Sequence, residues 1–194
     1  MTKRKYCLLV SCMLIIVVLV ASNWHYSRMS YAYYQETQNA VQSLEDHVDS
    51  MIYNLNVFLD NTADPKAAIS FAYLHSVLCE EDFAVVKRYC THYNSNSFLA
   101  LVHDDKYTLS QRGSVLSLDE KLAEFQVFLQ NICVNEMHYI AEAQLRDELS
   151  AAKHALECIR DSLKKYDWDD ISTPEEMIKT VLVAVDDVNL SLSE

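Results

Sequence analysis

The chain has 194 residues, 51% of them apolar, with one Gly, two Pro and a formal net charge of −12. So apolar a composition excludes an intrinsically disordered chain, the length leaves no room for a second sizeable domain, and the scarcity of breakers points to an all-α protein. Setting aside Lys3, Arg4 and Lys5 leaves 13 basic against 28 acidic residues, a balance of −15, and so acidic a body repels nucleic-acid phosphates, so no nucleic-acid partner is expected.

The first element is an apolar run from Tyr6 to Trp24, 19 residues without a charge. A helix of that length rises about 28 Å, close to the thickness of a hydrocarbon core. The run therefore reads as a transmembrane signal-anchor over 6–24. Residues 1–5 form a short basic cytoplasmic N-terminus, because Lys3, Arg4 and Lys5 favour the inner side, and residues 25–194 lie outside. Trp24, at the end of the run, and Tyr26, just past it, fall at the headgroup level. Two rivals exist. Cleavage after Ser22 would release a secreted helical protein, since small residues precede that bond. Acylation at Cys12 conflicts with the apolar run continuing beyond it.

The next helix carries Val41, Leu44, Val48, Met51, Leu55 and Phe58 at alternating spacings of three and four, the stripe of a half-buried helix or coiled coil. Nothing breaks the chain before Asp60, so anchor and first body helix are expected to form one rod. Asp64 then caps a helix that starts at Pro65. Its apolar stripe of Ala67, Phe71, Leu74 and Leu78 resumes, out of phase, at Phe83, Val86, Cys90 and Tyr93. That slip predicts a break near Glu80 to Asp82.

From 94 to 116 the helical period is lost, and an irregular segment is expected there. Ser117 to Glu120 reads as a capping box opening a third body helix, with Leu118, Leu122, Phe125, Leu129 and Ile132 on one face. A second series, Leu149, Ala152, Leu156, Ile159, Leu163 and Tyr166, is displaced in phase; two helices meeting near Gln144 to Glu148 close a bundle better than one bent helix. Thr173, Pro174 and Glu176 form a further capping box before a last helix with Ile178, Val181, Val185 and Val188 inward. The expected fold is thus an antiparallel bundle of four to five helices behind an N-terminal membrane helix.

Cys79, Cys90, Cys133 and Cys158 are four thiols in a segment read as lying outside the membrane, where disulfides form. A bridge between Cys79 and Cys90 requires the broken helix, because eleven helical residues would hold them about 16 Å apart. His75 with Cys79, and His154 with Cys158, stand at i and i+4, so each pair shares a helical face. His75, Cys79, Cys90 and His92 are the candidate metal ligands for a metal- or redox-responsive alternative. No nucleophile elbow, Gly-rich oxyanion turn or HExxH helix occurs. Asp167, Asp169 and Asp170 share the acidic opening of a calcium loop but lack its central Gly and closing Glu. No enzyme activity and no cofactor are expected. The layout resembles that of extracytoplasmic helical bundles of bacterial sensor proteins, with no motif in common. The expectation is a non-enzymatic interaction, envelope-assembly or sensory module, associated with the membrane through its first helix and with an unidentified protein partner or a second copy of itself.

Overall fold

The computed structural model describes residues 3–60, 62, 64–95, 109–134 and 142–192. Among them are five helices and no strand: α1 (Lys3–Leu59), α2 (Pro65–Ser95), α3 (Leu109–Val134), α4 (Glu142–Leu163) and α5 (Pro174–Ser191).

The single rod is present: α1 runs 57 residues without interruption, about 85 Å. Its two ends differ in what they touch. Met13 to Val20 and Trp24 are exposed, and among the described residues burial begins at Tyr33 and Tyr34, so the bundle grips the second half of the helix. There Val41, Leu44, Val48, Met51, Leu55 and Phe58 are all buried, as the spacing predicts. The exposed half carries the apolar run. Within it, the Arg28 guanidinium lies 5.0 Å from the centre of the Trp24 ring, a cation–π contact. Among the described residues no helix is long and apolar enough to cross a membrane. Side chains 3–12, with Lys3, Arg4 and Lys5, and that of Tyr26 lie outside the described residues. Side chains are described only for the later part of the run, Met13 to Trp24, which rises about 18 Å, short of the roughly 30 Å of a hydrocarbon core. The full-length span expected over 6–24 is therefore not found among the described residues.

Helix α2 begins at Pro65 with Asp64 as its cap, whose Oδ1 accepts from the Lys66 amide at 3.0 Å. The break expected near Glu80 is absent, because α2 continues unbroken to Ser95. The buried stripe of α2 is not the one its bulky apolar residues suggest. Ile69, Ala72, Ser76, Cys79, Phe83, Val86 and Cys90 keep the three-four alternation throughout, and all are buried. Small residues face α1 over the first half, which lets the two helices approach closely, while Phe71 and Leu74 remain 54% and 50% exposed.

The capping box expected at Ser117 is also unused, since α3 starts at Leu109 and runs through it. Asp119 instead pairs with Lys87 of α2, and buried Val115 and Leu118 hold the added turns despite Gly113, whose helical cost is about 1 kcal/mol. Of the irregular segment, 109–116 is thus helical; 96–108 lies outside the described residues. Two helices, not one, follow, as expected. Gln144 to Glu148, where the junction was expected, lie inside α4, and residues 135–141 lie outside the described residues. At the last boundary Thr173 Oγ1 accepts from the Glu176 amide at 3.2 Å. The reciprocal arm reaches one residue earlier than the motif predicts, with Glu176 Oε2 accepting from the Ser172 amide at 3.4 Å.

Chain neighbours α1 and α2 pack as an antiparallel pair, α3 lies along α2, and α4 along α1. Successive helices α3 and α4 barely touch. Helix α5 closes the resulting gap over part of its length and contacts each of the other four. It is anchored by Asn189 Nδ2 donating to the Ser114 carbonyl at 2.8 Å and by Tyr166 OH donating to Asp187 at 3.2 Å. The acidic stretch at 167–170 is a structural turn: Trp168 is buried and its indole N–H donates to the Leu163 carbonyl at 3.2 Å, capping the end of α4. Asp169 accepts from Gln42 of α1 at 2.7 Å.

Candidate functional site

The structure separates most of the residues singled out by spacing. Cys79 and Cys90 are buried free thiols on one continuous helix, so the pairing that needed a broken α2 is closed to them. Burial, reinforced by Asp82, pushes the Cys79 thiol well above its ordinary range, and burial pushes Cys90 up to about 12. Both are therefore protonated and unreactive near neutral pH. Cys133 is a half-buried free thiol, raised by burial and held back by a hydrogen bond with Ser70; Cys158 is likewise half-buried and free. His154 is a surface side chain beside Glu157, 3.8 Å away. The side chain of His92 lies outside the described residues. No group of three or more His, Cys, Asp and Glu that could hold a metal occurs among the described residues.

His75 does meet a partner, on the other helix of the seam. Its Nδ1 stands 3.1 Å from Nδ1 of His47 on α1, with ring centres 5.2 Å apart. On its far side His47 Nε2 points to Oδ2 of Asp82 at 3.6 Å. That carboxylate oxygen is buried and makes no hydrogen bond. Burial lowers the basicity of His75, and the neighbouring His47 lowers it further. Asp82 is raised by burial, with His47 opposing and Glu81 adding to the shift. The self-consistent tautomer places the His47 proton on Nε2 facing Asp82. His47 Nδ1 then accepts from His75.

Sequence reasoning missed His47 and Asp82 because their partners are on another helix, with no i,i+4 spacing to reveal them. A signal existed nonetheless. His47 and His75 each lie 14 residues from position 61, inside the turn at Asp60 to Asp64, so folding the sequence about that turn superposes them.

The second feature is a cleft of about 580 Å³ between α3 and α4. It is the part of the α3–α4 gap that α5 does not fill, beginning at Leu192 just past the end of that helix. Phe125 and Phe128 form the α3 wall; Ala152, Ala155 and Leu156 form the α4 wall. Its size matches ligand-binding clefts generally. Three alanines on α4, counting Ala151, hollow out that wall, while Lys121, Glu124 and Glu148 stand at the rim. Leu122 and Ile159 line both this cleft and the packed seat of α5, so one groove is occupied by a helix at one end and open at the other. The same faces were predicted inward from their periodicity, and half-buried Phe125 and Ala152 are where that packing is left incomplete.

No family model matches the chain, and no curated protein and no solved structure is similar to it.

Proposed function

We propose that this chain is a non-enzymatic interaction module, held at a membrane by the apolar end of α1, whose α3–α4 cleft receives an amphipathic helix of a partner protein. The observation that carries the reading is the continuity of the cleft with the seat of α5. The chain's own helix already occupies one half of the groove by burying a face of Val181, Val185 and Val188. The open half offers the same kind of wall, Phe125 and Phe128 against alanines and Leu156, the arrangement in which an amphipathic helix lays its apolar face. The acidic body favours a helix whose flanks are basic.

The test is co-purification from gently solubilised membranes. A partner retained by the unsubstituted chain is expected to be lost with Ala155→Trp, which fills the cleft, and kept with Tyr53→Ala, a substitution at a 67% exposed residue of α1. Equal retention by both variants contradicts the reading. So does a self-associated chain whose mass in solution is unaffected by Ala155→Trp.

The tether supports a separate expectation. The full chain is expected in the membrane fraction, resistant to alkaline carbonate and released by detergent, while residues 28–194 stay in the supernatant. A mature N-terminus at Asn23 would replace the tether with secretion.

A further inference from the structure

We propose that His47 and His75 form a two-imidazole site for a divalent transition metal at the α1–α2 seam, with Asp82 as the carboxylate that orients His47. The site stands apart from the α3–α4 cleft and does not depend on the docking reading.

Three observations on the seam converge. The first is distance. Two nitrogen ligands 2.0–2.1 Å from one tetrahedral ion stand about 3.3 Å apart, and the two Nδ1 atoms are 3.1 Å apart. The second is the carboxylate beyond His47. A metal-ligating histidine characteristically donates its other N–H to a carboxylate, and Asp82 lies 3.6 Å from His47 Nε2, which leaves Nδ1 as a lone-pair donor. The third is Asp82 itself, whose buried Oδ2 has no hydrogen-bond partner. A metal drawing electron density from His47 makes the Nε2–H a stronger donor and supplies what that oxygen lacks.

The proton balance is simple. Without metal, His75 donates its Nδ1–H to His47; with metal, that proton moves through solvent to His75 Nε2, and both Nδ1 lone pairs face the ion. No net proton is released. Both histidines are half-buried, so water reaches the ion and completes its coordination. Imidazole ligands select zinc, copper or nickel over calcium or magnesium. With two protein ligands rather than three or four, the site is an open one, suited to reversible binding and not to a permanent structural ion. Because the ligands come from two helices, occupancy clamps α1 to α2 midway along their contact.

The experiment titrates the full chain in detergent with Zn2+, read by calorimetry and by the thermal midpoint. One ion per chain is expected, with a raised midpoint. His47→Gln and His75→Gln should each weaken binding at least tenfold, Asp82→Asn about tenfold, and His154→Gln not at all. In the unsubstituted chain Zn2+ should also block diethylpyrocarbonate modification of His47 and His75 together, a readout that needs no variant to fold. Substituting Co2+ should give no thiolate charge-transfer band. Absence of saturable binding, full-strength binding by His47→Gln, unprotected His47 and His75, or a thiolate band would each overturn the site.

Discussion

Replacing Phe83 with Ala is expected to destabilise the bundle by about 3–5 kcal/mol, lowering the thermal midpoint by roughly 10 °C. Phe83 is among the largest fully buried side chains, on the face of α2 turned to the interior. Around its position the five helices meet: Val41 and Leu44 of α1, Leu118 and Leu122 of α3, Ile159 and Leu163 of α4, and Val181 and Val185 of α5 share the same packed region. The loss therefore combines transfer of the ring with a cavity that no single helix can collapse to fill, since each is held by at least two others. Circular dichroism melts of the two proteins check the value. A shift of less than 2 °C would mean that α2 presents another face.

The second expectation tests the register of α2 by exchanging two adjacent residues. Ala72 is fully buried and Phe71 is 54% exposed. Phe71→Ala should change stability by no more than about 0.5 kcal/mol. Ala72→Phe drives a ring into a seam lined on the α1 side by buried Val48, Met51, Ile52 and Leu55, and overpacking of that size should cost about 3 kcal/mol or more. The opposite ordering of the two variants is the result required by the stripe of Phe71, Leu74 and Leu78. Denaturant unfolding distinguishes them, provided the slope with denaturant stays constant.

That contrast also shows where the sequence was legible. On α1 and α5 the inward positions are large aliphatics, so hydrophobic spacing and true facing coincide: all six stripe residues of α1 and all four of α5 are buried. On α2 the inward positions over the first half are Ala72, Ser76 and Cys79, small because a neighbouring helix lies close, while bulky Phe71 and Leu74 sit outside. Reading size as inwardness then rotates the helix and invents a break where the real stripe has none. The unused capping box at Ser117 fails for a related reason: tertiary burial of Val115 and Leu118 extends α3 past a local stop signal. The site was less legible than the fold. His75 was found by its spacing to Cys79, yet its contact is His47, which only the antiparallel pairing of α1 and α2 brings near. The cleft could not be read from periodicity, which marks Phe125 and Ala152 as inward without saying that α5 stops short of covering them.

The extent of α1 gives the bundle its place in the account. A helix that continues from the packed region into a bare apolar end transmits position and rotation from one to the other, with no flexible joint between Met13 and Leu59. The ion pairs of Lys164 with Asp49, at 2.7 Å, and of Arg160 with Asp49, at 3.9 Å, fasten α4 to the same rod. These are partly exposed surface pairs worth about 0–1 kcal/mol each, so the apolar stripe and not the charges sets the stability.

The most direct measurement places a photo-crosslinking amino acid at Phe128, inside the cleft, in the full membrane-associated chain, and maps the peptide it captures. The account predicts an adduct to one amphipathic segment of another protein, abolished by Ala155→Trp on the facing wall and undiminished by Tyr53→Ala. An adduct pattern identical with and without Ala155→Trp, or adducts only to this chain itself, would contradict it.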